Sequence, residues 1–140
     1  MNIEVVKMLR FKNYFYEKYI KRSLSERIEL ANNYYRKLRA QVGSSDALDL
    51  LCILCGANGG VTEQKYRIVI ELTHDRGSMG MFASLVNSMY TSYTVERVCK
   101  IFSENIDAME GAVNILFLFA SLNGRLSSDD EKMMRYIMNK

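Results

Sequence analysis

Apolar residues recur every three or four positions through most of the chain, the spacing that places them on one face of an α-helix. Over Ile3–Lys21 they lie on one side of such a helix, and lysine and arginine lie on the other. Two further stretches, ALDLLCILCGA and AVNILFLFASL, are apolar on nearly every side, which predicts central, buried helices. The amphipathic spacing recurs over residues 26–41, 62–74, 79–89, 94–105 and 127–136.

Hydroxyl residues mark the expected starts of these helices, because a serine or threonine side chain accepts a hydrogen bond from the first helical turn. Ser128 with Glu131 three residues later fits the capping-box spacing. The chain has no proline and eight glycines, which suits helices joined by tight turns. We predict an all-α, single-domain bundle of about seven or eight helices. The expected caps are Ser23 or Ser25, Thr62, and Ser127 or Ser128.

One helix–turn–helix unit occurs twice. The segments GANGGVTE and SLNGRLSSDDE each follow an apolar helix and precede a hydroxyl-capped one, and their Asn-Gly pairs lie 65 positions apart, at 58 and 123. Since one such hairpin cannot bury its apolar helix alone, we expect the two to pack together.

This repeated pattern resembles the tellurite-resistance TerB-like domain, in which the turn reads Asp-Gly. The resemblance covers residues 45–140 and implies a TerB-like helical domain there. Residues 1–44 resemble the basic helical extension of some members and are expected to pack on that core. The resemblance further implies a bacterial, non-catalytic binding or adaptor protein, associated with stress response or tellurite resistance.

In that family, acidic residues near the turns form a negative surface associated with divalent metal binding. Asn58 and Asn123 stand here where the family has aspartate. Because Ca²⁺ needs several oxygen ligands, preferably charged, we expect no metal site and no cofactor. The residues around the turns instead form a candidate surface for a protein partner. They are Asn58 and Glu63 in the first copy, and Asn123, Asp129, Asp130 and Glu131 in the second.

Charge is unevenly distributed along the chain. Residues 1–40 hold ten Lys or Arg against four Glu, a net charge of +6, and the remainder holds nine against twelve acids, a net charge of −3. The basic helices, including Lys7, Arg10 and Lys18, form a second candidate surface. An acidic protein, nucleic acid or an anionic membrane surface would each complement it.

The first helix also carries five aromatic residues between its cations. These side chains can stack on nucleic-acid bases, lie at a membrane interface or pack in the bundle, and the sequence leaves the three uses open. The five are Phe11, Tyr14, Phe15, Tyr16 and Tyr19.

Cys52 and Cys55 have the spacing of a redox or zinc pair, but they lie late in an apolar helix, so we interpret them as core residues. A zinc site would need two more ligands, and the chain offers only Cys99 and the single histidine, His74. His74 lies at a predicted helix end, where the helix dipole favours it. No nucleophile–base pair, phosphate loop or cofactor motif is visible, and we do not expect an enzyme.

The longest apolar stretch, Ile115–Leu122, is shorter than the ~20 residues that span a bilayer. The first residues lack the features of a secretory signal, and three cysteines do not form a disulfide framework. We therefore expect a cytoplasmic protein.

Overall fold

A computed structural model of the chain describes residues 10–57, 59–74 and 92–138. These residues form seven helices and no strand, in a single-domain bundle, which confirms the predicted all-α class. The predicted helix over residues 79–89 and the start of the first helix lie outside the described residues. The helices are α1 (residues 10–20, with Tyr16–Ile20 π-helical), α2 (Leu24–Val42), α3 (Ser44–Gly56), α4 (Glu63–Thr73), α5 (Ser92–Glu104), α6 (Met109–Ser121) and α7 (Ser128–Met138).

Helix α6 lies at the centre of the bundle. Every residue from Gly111 to Ser121 is buried, and α6 contacts α1, α2, α3 and α7. A Cβ atom at Gly111 would lie 3.3 Å from the carbonyl oxygen of Tyr34, so the glycine lets α2 and α6 approach closely. Helix α3 is likewise buried from Leu50 to Gly56. Both apolar stretches are therefore central, as their patterns predict.

Two of the predicted caps are found at the starts of α2 and α4. Ser23 Oγ accepts a hydrogen bond from Glu26 N at 3.2 Å, and Glu26 Oε1 accepts one from Ser23 N at 3.3 Å, which completes a capping box. Thr62 Oγ1 accepts from Lys65 N at 3.2 Å. Each of these caps joins residues only three positions apart, so it can be predicted from the sequence alone.

The start of α7 differs from the predicted Ser128–Glu131 capping box. Ser127 Oγ accepts from Asp130 N at 3.1 Å, and Asp130 Oδ2 accepts from Ser127 N at 2.9 Å. Ser127, one of the two predicted caps, is therefore the cap of α7, and only the predicted pairing of Ser128 with Glu131 was wrong. The acid of the box is therefore Asp130, and its side chain is turned inward.

Candidate functional site

The aromatic residues of α1 pack mainly into the bundle. The ring of Phe117 on α6 lies against four of them, with centroid distances between 5.2 and 6.3 Å. The fifth, Tyr16, is 51% exposed. Of the three uses that the sequence left open, packing in the bundle therefore accounts for four of the five side chains. The four that contact Phe117 are Phe11, Tyr14, Phe15 and Tyr19.

Hydrogen bonds to Asn114 also hold α1 on α6. The hydroxyls of Tyr14 and Tyr19 each donate to Asn114 Oδ1 at 2.8 Å, while Asn114 Nδ2 donates to the carbonyl oxygen of Glu110 at 2.9 Å. Burial raises the pKa of Tyr19 far above its ordinary value, so this hydroxyl remains a neutral donor. We did not predict this role for Asn114, because its partners lie 95 and 100 positions away in the chain.

The basic helix α1 and the second glycine turn lie side by side. Lys12 Nζ is 3.4 Å from a carboxylate oxygen of Glu131, and a groove of about 310 Å³ separates the two segments. We call it the α1–turn groove. The two candidate surfaces predicted from the sequence, the basic first helix and the second glycine turn, are therefore adjacent. Its lining includes Lys12, Tyr16 and Ile20 from α1, and Gly124, Arg125 and Leu126 from the turn.

The residues predicted around the turns have different environments. Asp130 is 1% exposed and serves the capping box, so it does not contribute to an exposed acidic face. Glu131 is half-buried beside Lys12. Glu63 is exposed and forms an ion pair with Arg67 at 2.7 Å. Asn123, Asp129, Arg10 and Lys18 are exposed, whereas Asn58 and Lys7 lie outside the described residues.

A buried ammonium group lies between the first turn and α7. Lys65 is 4% exposed, and its Nζ donates to the carbonyl oxygens of Cys55 at 3.1 Å and Gly60 at 2.9 Å. Burial lowers the pKa of Lys65 and raises that of Asp130, and the charge of each residue opposes the shift of the other. Lys65 and Asp130 are each the third residue after a helix cap, so a cation and an anion occupy matching positions and attract each other.

Arg27 is a second cation whose role we did not predict. Its guanidinium donates to the carbonyl oxygens of Arg22 at 2.8 Å, Ile20 at 3.1 Å and Ser121 at 3.3 Å. Carbonyls at helix C-termini lack partners within their own helix. Arg27 therefore ties the end of α1 to the end of α6, beside the α1–turn groove.

Neither the cysteine pair nor the histidine lines the α1–turn groove. Cys52 and Cys55 are buried on α3, and burial raises the pKa of each thiol to about 12. Their sulfur atoms are therefore protonated at neutral pH, whereas redox and metal-binding cysteines act as thiolates. His74 ends α4 in a left-handed conformation, with φ of 56°.

Alkylation should distinguish the three cysteines of the native protein. With iodoacetamide at pH 8, we expect Cys99, which is half-buried, to be modified first. Cys52 and Cys55 should react on the order of a thousandfold more slowly than an exposed thiol with a pKa of ~8.5, because only a small fraction of each thiol is deprotonated at pH 8. Peptide mass spectrometry measures the rates, with urea-unfolded protein as the control. Equal rates at all three residues in the native protein would contradict this burial.

Within the part of the chain that the structure describes, no three His, Cys, Asp or Glu side chains are placed so that they could hold a metal ion. None of the described helices is both long and apolar enough to cross a bilayer. No model of a protein family matches the chain, and neither a curated protein nor a solved structure matches it. The family resemblance therefore rests on the residues of the two turns.

Proposed function

We propose that the chain is a TerB-like, non-catalytic adaptor that binds a protein partner in the α1–turn groove. The main support for this proposal is Tyr16, a large aromatic side chain that lines the groove and is 51% exposed. Lys21 Nζ lies 5.6 Å from the centre of its ring, and Lys12 and Arg125 line the same groove. Tyrosine and arginine side chains are enriched among the residues that dominate binding energy at protein interfaces.

The charges around the groove favour a partner that presents acidic residues beside an apolar anchor. Lys12, Lys21 and Arg22 each form an ion pair at the protein surface. Such exposed pairs contribute about 0–1 kcal/mol, so partner carboxylates can replace the internal ones at little cost. Ile20 and Leu126 provide apolar surface for the anchor.

Similar construction of the two helix–turn–helix segments supports the TerB-like part of the proposal. Each has a buried apolar helix, α3 or α6, followed by a turn with a positive-φ glycine. Gly59 has φ of 73° and Gly124 has φ of 76°. Thr62 and Ser127 then cap the next helix through the same kind of hydrogen bond. A link to bacterial stress response or tellurite resistance comes from the family resemblance and belongs to this proposal.

Affinity capture from a bacterial extract tests the proposed function. Tyr16→Ala and Arg125→Glu change the groove, and Ile106→Ala is a matched control, because Ile106 is 62% exposed and does not line the groove. We expect one protein to be retained by the wild type and the control. Each groove variant should weaken that binding about 30-fold, the effect of losing ~2 kcal/mol at a hot-spot residue. Equal retention by all four proteins would contradict the proposal.

A second candidate function is binding of nucleic acid or an anionic membrane through α1 and α2. The observation that favours it is the number of exposed cations on these helices, among them Lys18, Arg36 and Arg39. This function predicts affinity that falls steeply with salt and with charge reversal at Lys18 and Arg36. Groove binding, in contrast, should be insensitive to charge reversal at Lys18 and Arg36, because neither residue lines the groove. Titration with duplex DNA and with anionic vesicles therefore separates it from groove binding.

A further inference from the structure

A second cleft lies between α1, α2, α6 and the end of α7. It has a volume of about 320 Å³, within the range of small-molecule sites in proteins. An outer part shares four of its lining residues and also includes Arg10. We call the two parts together the α1–α6 cleft. Its inner lining includes Phe11, Tyr34, Met109, Val113, Asn114 and Met138.

The inner part of the cleft suits an apolar chain. Phe11, Met109, Val113 and Met138 supply apolar surface, and methionine side chains adapt their shape to a flexible ligand. The polar groups there already have partners within the protein. Asn114 Oδ1 accepts two tyrosine hydrogen bonds, and its amide nitrogen donates to a carbonyl oxygen. A polar ligand group placed there would have to break those bonds.

The rim of the cleft carries the positive charge of Arg10. Glu110 lies 3.9 Å from Lys37, so these two charges largely offset each other. Arg10 is exposed, and it forms no ion pair with any other described residue. Its planar guanidinium can donate two parallel hydrogen bonds to a carboxylate.

We propose that the α1–α6 cleft binds a medium-chain fatty acid, with the carboxylate at Arg10 and the alkyl chain between α1 and α6. The inner part has room for a medium-length alkyl chain, since its volume of about 320 Å³ is that of a small-molecule site. A peptide segment fits less well, because its backbone N–H and C=O groups would need partners that this lining does not offer. The site is separate from the α1–turn groove.

Calorimetric titration of the full chain with fatty acids of six to fourteen carbons, below their micelle concentrations, tests the proposal. We expect affinity to rise about fourfold for each added methylene until the chain fills the cleft. Decanol should bind about tenfold more weakly than decanoate, because it cannot form a charge-assisted pair with Arg10. Absence of saturable binding, or affinity independent of chain length, would overturn the proposal.

Two variants test the position of the carboxylate. Arg10→Gln should weaken decanoate binding about tenfold and leave decanol binding unchanged. Lys18→Gln is the matched control, since Lys18 is an exposed cation of the same helix that does not line the cleft, and it should change neither affinity. Neither residue is buried, so both variants should fold. Equal effects of the two substitutions on decanoate, or equal binding of decanoate and decanol by the wild type, would overturn the assignment of Arg10.

Discussion

Replacing Lys65 with methionine should lower the free energy of unfolding by about 3–5 kcal/mol at pH 7, the usual cost of removing one partner of a buried charged pair. The substitution keeps most of the apolar volume of the side chain. It removes the donor to the carbonyl oxygens of Cys55 and Gly60, and the positive charge near the buried carboxyl of Asp130. Urea unfolding followed by circular dichroism measures the change.

The loss caused by Lys65→Met should depend on pH. Burial already raises the pKa of Asp130 above its ordinary value of 3.8, and the charge of Lys65 opposes that rise. Without the ammonium group of Lys65, the pKa of Asp130 in the folded variant rises further. The carboxyl of Asp130 then binds a proton more tightly in the folded variant than in the unfolded chain. The stability of the variant therefore falls as pH increases from 3.8 through that raised pKa. We expect a smaller difference from the wild type at pH 4 than at pH 7.

Two controls identify the cause of this loss. Lys65→Met combined with Asp130→Asn removes both charges and keeps an acceptor for the capping box, so it should recover about half of the lost stability. Lys132→Met, at an exposed lysine of α7, should change stability by less than about 0.5 kcal/mol. A loss at Lys65 that matches the loss at Lys132 would contradict the buried pair.

Replacing Phe117 with alanine should cost about 3–5 kcal/mol, because this fully buried ring leaves a large cavity. The loss should fall first on α1, since four of its aromatic rings contact Phe117. Urea unfolding measures the global change, and amide hydrogen exchange measures protection of residues 10–20. The α1–turn groove loses one wall when α1 detaches.

Phe119→Ala provides a matched control for the variant at Phe117. Phe119 is buried on the same helix, and among the described residues it makes no ring contact with α1. We expect a similar global cost with no selective loss of protection in α1. Equal protection of α1 in the two variants would contradict the role of Phe117 as the anchor of the first helix.

Local patterns predicted the helices and several of their ends. The caps at Ser23 and Thr62 need only a hydroxyl and a backbone N–H three residues later, so the sequence identifies them. At the start of α7, two adjacent serines each precede an acid by three residues. Which serine caps the helix depends there on which of the two acids faces the core. Asp130 lies on the same buried face of α7 as Met133 and Met134, and it is Asp130 that pairs with Ser127.

Contacts between distant segments could not be predicted from the same patterns. A lysine in the first turn of a helix is usually solvated, whereas Lys65 is buried and interacts electrostatically with Asp130, which lies 65 positions later in the chain. The hydrogen bonds from Tyr14 and Tyr19 to Asn114 likewise depend on how α1 packs on α6. The α1–turn groove has the same origin, so the sequence indicated its two sides but not their proximity.

Photo-crosslinking from position 16 tests protein binding in the α1–turn groove most directly. With a benzophenone amino acid in place of Tyr16, we expect one discrete protein adduct in cells of the source organism. The adduct should disappear when Arg125→Glu is added, and it should not form when the same amino acid replaces Ile106 instead. An adduct that forms from position 106 alone, or one that Arg125→Glu leaves unchanged, would contradict binding in this groove.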